Sequence, residues 1–355
     1  EDGIRDQPLS RGLGDVYKRQ IQDLYALYGK KDEVICPDLL RFPHNYNMVS
    51  RGHMYSWFNK HLGLGIKEPI AEKDYKLFTK EEHAVWTDKH PKPPGGDAFE
   101  RKLTRQLADQ DSKLLDAMSD KDRRATVRNA WKIMIGRELP AAADIELDDG
   151  KLSFPAKGEV IPIRTYTSTR VYKKVVIWVH GKGKDGLYDD EGKPAEALRR
   201  LRGHRVILAD LFLQGEFLAP GKTLTQTPTV RNRRQYAGYT HGYNHSVFAR
   251  RTHDILSLIA LAKKYDNRPI CLVATGGAAP IAAAALAIAG PAVSRAILET
   301  GDFTFADIKT YRHPDFIPGA VKYGDLEGLL DLLPKDSIRT VKTFSGEHLD
   351  WLRLE

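Results

Sequence analysis

The chain has 355 residues, a hydrophobic fraction of 41%, 29% charged residues and a formal net charge of +8 at pH 7. That balance is ordinary for globular protein; it excludes a disordered chain, and the length suits about two domains. The longest apolar stretch, AAPIAAAALAIAGPAV from Ala278, is Pro-punctuated and shorter than the ~18 residues a membrane span needs, so it reads as a buried helix and no membrane span is expected.

Residues 1–20, EDGIRDQPLSRGLGDVYKRQ, carry Gly3, Pro8, Gly12 and Gly14 in quick succession and show neither helical nor alternating periodicity, which predicts a disordered segment. A helix opens at Ile21. VICPDLL (Val34 to Leu40) is a short apolar run of buried-strand type, ended by Pro43, and His44 follows at once. From Met48 the apolar positions Met48, Tyr55, Phe58 and Leu62 recur at helical spacing, and Gly63 and Gly65 stop the helix. His44 therefore sits on a strand-to-helix loop, where a near-neutral imidazole suits proton transfer and where a capping histidine is also common. The segment from Glu68 to Leu139 is charged and mostly helical. PKPPGG (Pro91 to Gly96) breaks it, and helical spacing resumes on both sides of a polar turn near Asp120.

From about Gly150 the pattern changes. VVIWVHG (Val175 to Gly181), HRVILADLFLQGE, RPICLVATGG and VSRAILET read as strands, with helices in PAEALRRLRG, THDILSLIALAKKYDN and the Ala-rich segment between them. Strands alternating with helices predict an α/β fold with a doubly wound, mostly parallel sheet. The two cysteines, Cys36 and Cys271, both lie in apolar strand-like runs, where small thiols are usually buried, and they leave the compartment open.

Several residues in this half invite function. ATGGAAP follows the third apolar strand, where a nucleophile elbow would carry G-x-S-x-G; Gly276 stands in place of the serine, so the shape is kept and the nucleophile is absent. Thr275, its neighbour, would point away from the nucleophile's place. HGKGKDG holds G-x-G-x-x-G in Gly181, Gly183 and Gly186, with Asp210 ending the next strand. LYDDEGKP separates Gly186 from the helix, however, and a dinucleotide site needs that glycine at the helix mouth. His241 and His245 have the spacing of H-E-x-x-H but Gly242 replaces the glutamate, in a Gly- and Tyr-rich run with no clear helix. No metal or cofactor is expected. RNRRQYAGYTHGYNHSVFARR (Arg231 to Arg251) interleaves arginine and tyrosine without any nucleic-acid module signature; a packing and ion-pair role near Thr252 to Asp254 is expected, and no nucleic-acid partner.

The stretch from Ile21 to Gly65, with its FPHNYN turn, resembles the C-terminal end of the acetyl-xylan-esterase-like branch of the α/β hydrolases, which includes large multidomain members; the resemblance continues through PIAEKDYKLFTKEEHAVWTDKHPKPPGGDAFERKLTR. It implies that His44 is the base of a Ser-His-Asp triad whose serine and acid lie upstream of this sequence, and that GLGDVYKRQ, which is similar to translated adapter readthrough in assembled environmental genes, is a non-native junction. YTHGYN, the degenerate elbow and PDFIPGAVKYGDLEGLLDLLP (Pro314 to Pro334) resemble the pseudo-hydrolase domain that follows the catalytic one in such esterases. The implied organisation is 1–20 junction, 21–66 end of a catalytic domain, 67–150 connector and 151–355 degenerate domain. The implied activity is deacetylation of carbohydrate esters in a secreted or periplasmic setting, with an acylated carbohydrate as substrate. A non-catalytic carbohydrate-binding or scaffolding module, using Tyr236, Tyr239 and Tyr243, is the alternative.

Overall fold

The computed structural model describes residues 8–39, 41–43, 45–93, 95–229 and 237–353; of residues 8–16 and 237 it describes the backbone alone. The chain divides into two compact units, Glu1–Pro93 and Pro94–Glu355.

The first unit holds α1 (Pro8–Leu27) and α2 (Met48–His61). Helix α1 begins well inside the segment whose glycines and proline predict irregular chain. Pro8 occupies the first helical position, where its missing N–H costs nothing, and isolated glycines are tolerated in a helix at about 1 kcal/mol each. Helix α2 starts where its sequence says: the Asn47 side chain accepts the Ser50 N–H, and Gly63 and Gly65 leave the helix with φ of 62° and 68°. Two expectations fail here. Residues 34–39 form no strand and are largely exposed, Cys36 included, and Met48, Phe58 and Leu62 face solvent. An apolar run becomes a strand only when another strand takes its backbone hydrogen bonds, and the described residues of this unit hold none.

The second unit opens with α3 (Asp97–Asp116) and α4 (Asp120–Ile135), separated by the polar turn around Ser119, whose hydroxyl accepts the Asp122 N–H. Three antiparallel strands follow, β1 (Glu146–Asp148), β2 (Lys151–Phe154) and β3 (Glu159–Thr167), and then β4 (Lys174–His180), α5 (Glu196–Arg200), β5 (His204–Ala209), α6 (Ala237–His241), α7 (Val247–Tyr265), β6 (Ile270–Thr275), α8 (Ala279–Ala289), β7 (Arg295–Glu299), α9 (Asp325–Leu330) and β8 (Ile338–Val341). They make one eight-stranded sheet in the order β1-β2-β3-β5-β4-β6-β7-β8, parallel from β5 to β8. This is the expected α/β class with a mostly parallel, α/β-hydrolase-like sheet. The four strands legible in the sequence are there; β1 to β3 and β8 add to them.

The core lies on both faces of the sheet. On one face α4, α7, α8 and α9 cover Val175, Ile177, Leu272 and Leu298; on the other, Trp178, Leu208, Val273 and Ile297 pack with Leu349 and Leu352 of the C-terminal 3-10 segment. Helix α4 is part of this core, through the buried Val127, Trp131 and Ile135. The compact unit therefore begins near Pro94, ahead of the boundary at 151 that the composition shift suggested. No helix among the described residues is long and apolar enough to cross a membrane, and the Ala-rich α8 is buried in the sheet's cover.

Candidate functional site

In a doubly wound sheet, ligands meet the crevice at the carboxyl ends of the strands where the winding reverses. Here that place is between β4 and β6, because the chain leaves β4 for β5 on one side and returns to β6 on the other. The carboxyl ends there are His180 of β4 and the Thr275–Gly276–Gly277 turn that joins β6 to α8.

The turn has the geometry of a nucleophile elbow. Gly276 has φ of 62° and Gly277 of 91°, values that a residue with a β-carbon adopts only at a cost. The space a side chain would occupy is filled: a β-carbon added to Gly276 would lie 2.6 Å from Nε2 of His180. His180 is held in place. Its Nδ1 accepts the Lys182 N–H at 3.0 Å, and Gly186 packs against this same Nδ1 side of the ring so closely that a β-carbon there would collide with it. With Nδ1 an acceptor, the proton of the neutral ring sits on Nε2. Burial pushes the His180 pKa down; Lys182 adds to this and Glu299 opposes it.

Several backbone donors around the turn are engaged within the fold. The Gly276 N–H donates to Oε2 of Glu299 at 2.7 Å, and the other oxygen of Glu299 accepts the Phe344 N–H at 2.9 Å. In the loop after β4, Gly181 N–H donates to Thr275 O, Lys182 N–H to His180, and Gly183 N–H to His180 O. Thr275 is no substitute nucleophile: it is buried, and its hydroxyl accepts the indole N–H of Trp178 at 2.9 Å. The elbow thus keeps its backbone and lacks both nucleophile and room. His180 and Glu299 escaped the sequence reading, although each leaves a trace there, as a polar residue closing an otherwise apolar strand.

The other marked residues take structural places. Asp210 is fully buried and accepts from the backbone N–H and Nζ of Lys184 and from the Glu216 N–H; a β-carbon on Gly183 would strike it. Gly186 lies inside a 3-10 turn, Lys184–Leu187, and not at the mouth of a helix whose N-terminus could hold pyrophosphate. Burial works against the Lys184 charge, but Asp210 and Glu216 outweigh it and hold its pKa above the ordinary value. His241 ends the five-residue α6 beside Phe316 and Tyr311, whereas His245 lies beyond that helix next to His253. They share no helix face, and no group of three metal-ligating side chains exists among the described residues.

Of the arginine- and tyrosine-rich run, residues 231–236 lie outside the described residues, Ala237–His241 form α6, and the last residues open α7. Arg251 donates to the carbonyls of Phe212 and Leu213, and Asp254 accepts the Phe212 N–H at 2.6 Å. Together they clamp a loop in which Leu213 has φ of 57°. Tyr243 is exposed and Tyr239 partly so, while Tyr236 lies outside the described residues. His44 also lies outside the described residues; its neighbours Pro43 and Asn45 are exposed, just ahead of α2.

No protein-family model matches this chain, and no curated protein does. Among solved structures it is similar in part to a candidate acetyl xylan esterase from Bacteroides fragilis, with 12% identity and a TM-score of 0.43 over 63% of this chain and 69% of the other. It is also similar in part to a cold-adapted esterase from an Arctic intertidal metagenomic library, with 15% identity and a TM-score of 0.29 over 55% and 74%. A Staphylococcus aureus protein of unknown function matches at 14% identity and a TM-score of 0.24 over 40% and 41%. Overlaps this partial assign no activity to the chain.

Proposed function

We propose that this chain belongs to a serine carboxylic ester hydrolase that deacetylates carbohydrate esters, with residues 21–66 ending a catalytic domain and the Pro94–Glu355 unit acting as a non-catalytic, hydrolase-like domain. The observation that carries the second half is the elbow at Gly276, whose nucleophile space is taken by His180. The first half rests on the FPHNYN turn and its resemblance. In that reading His44 takes the proton of a serine held outside this sequence as the hydroxyl attacks the acetyl carbonyl, then returns it to the leaving sugar alkoxide. A buried or hydrogen-bonded aspartate would hold the imidazole in the right tautomer.

The test has two arms. The 355-residue chain should not turn over p-nitrophenyl acetate above buffer, and turnover would refute the dead elbow. In a longer protein that supplies the serine and the acid, His44→Ala should abolish turnover and leave the circular dichroism spectrum unchanged. Retained turnover would refute the role of His44. The exposed Tyr243 favours one second reading, a carbohydrate-binding module with no catalytic role, which predicts retention on an insoluble xylan that Tyr243→Ala weakens.

A further inference from the structure

On the face of the second unit away from the β4–β6 crevice, α4, the end of α8 and the segment after α9 enclose a cleft of about 690 Å³. Its two walls differ in kind. Helix α4 contributes Arg124, Arg128 and Lys132, four residues apart and so on one face, spanning about 12 Å at the helical rise. The opposite wall is apolar, formed by Leu286, Ile288 and Val293, with prolines and two serines at the rim. No aspartate or glutamate lines it among the described residues.

The three cations are not equivalent. Arg124 is fixed, donating to the carbonyls of Asp331 and Leu332. Arg128 reaches Leu332 O only at 3.5 Å, and neither it nor Lys132 has a carboxylate partner among the described residues. Two uncompensated cations one helical turn apart beside apolar surface form the unpaired half of a charge-assisted contact. A guanidinium fork presents its donors to a carboxylate in pairs. The volume falls in the range of small-molecule sites, roughly 300–1,000 Å³, and the mix of an apolar lining with a few convergent polar groups is what such sites share.

We propose that this cleft binds an amphiphilic carboxylate, a medium- or long-chain acyl anion whose head group lies between Arg128 and Lys132 and whose chain lies along Leu286, Ile288 and Val293. Both halves are needed: the cations alone would accept any small anion, and the apolar wall alone any small hydrophobe. A nucleic-acid strand is disfavoured because, among the described residues, no aromatic side chain lines the cleft for a base to stack on. The assignment is independent of the ester-hydrolase reading.

The test is calorimetry on the full chain with decanoate below its micelle concentration, with acetate and decanol as single-feature controls. Decanoate should bind saturably, with one site per chain, at least tenfold more tightly than either control. The pair Arg128→Glu and Lys132→Glu should weaken it at least tenfold, the corresponding Gln pair by less, and Lys222→Glu not at all; both target residues are solvent-exposed, so the fold should survive. Absence of saturable binding, full affinity in the charge-reversed pair, or equal binding of acetate or decanol would overturn the proposal. Binding of poly-glutamate that decanoate does not displace would overturn it in favour of an acidic protein partner.

Discussion

Nε2 of His180 lies 2.6 Å from where a β-carbon on Gly276 would stand, so the histidine at the end of β4 and the glycine at the elbow after β6 are fitted to each other. Replacing either one changes what the other can be.

A double-mutant cycle measures that fit. Gly276→Ser should lower stability by about 1–3 kcal/mol, from the positive φ and the encounter with the imidazole. His180→Ala should relieve the encounter but not the backbone cost, so the serine should be less damaging in that background, with a coupling of about 0.5 kcal/mol or more. Urea unfolding of the four proteins reads this out. Strict additivity would mean that the ring moves aside freely. Gly276→Ser alone should give no esterase turnover, because the His180 ring crowds the place of the new side chain and leaves no room for an ester beside it.

Asp254 should make stability fall as pH rises. Burial raises its pKa to about 8, and the Phe212 N–H only partly offsets this. The folded protein then keeps a proton that the unfolded chain, with an ordinary carboxyl near ~4, has released. Across that window the contribution to stability declines, with a limiting slope of about 1.4 kcal/mol per pH unit. The stability of the wild-type chain relative to Asp254→Asn should therefore drop between pH 5 and pH 8. A flat or rising difference would show the carboxylate to be ionised in the fold.

His253 works with the opposite sign. Burial takes its pKa down to about 4, although the Ile135 carbonyl, 2.6 Å from Nε2, pulls it upward. Between about 4 and the ordinary value of ~6.5 the unfolded chain binds a proton that the fold refuses, so stability is lost as pH falls through this range. Relative to His253→Gln, the wild-type chain should lose stability from pH 7 to pH 5. Denaturant midpoints at the two pH values are sufficient, and an unchanged difference would contradict the buried neutral ring.

Helix α4 sets the boundary of the folding unit. A chain beginning at Pro94 should unfold in one cooperative transition, whereas one beginning at Lys151 should lose it, because Trp131 and Ile135 leave the cover of the sheet. Trp131→Ala in the full chain should cost about 3–5 kcal/mol, the usual penalty for emptying a buried aromatic site. Cooperative melting of the shorter chain would place α4 outside the unit.

What the sequence shows of this fold follows from how each strand is buried. β4, β5, β6 and β7 are covered on both faces, so their residues are apolar without interruption and they stand out. β1, β2, β3 and β8 are partly exposed, and their mixed residues look like loop. Val34 to Leu39 misleads for the complementary reason, being apolar enough for a strand but without a partner. The elbow was legible as far as its missing serine, since that is a matter of residue identity. Which histidine occupies the space is a matter of strand order, and nothing local in VVIWVHG says that β4 lies beside β6.

Glu299 accepts from the elbow at Gly276 with one oxygen and from the loop after β8 at Phe344 with the other. A serine introduced at Gly276 would therefore meet an occupied neighbourhood, hemmed by His180 and by the clasp made by Glu299. Altering either one alone loses an existing contact. Installing a nucleophile at this elbow is therefore a problem of coordinated change, in which the turn, the end of β4 and the end of β7 have to be altered together.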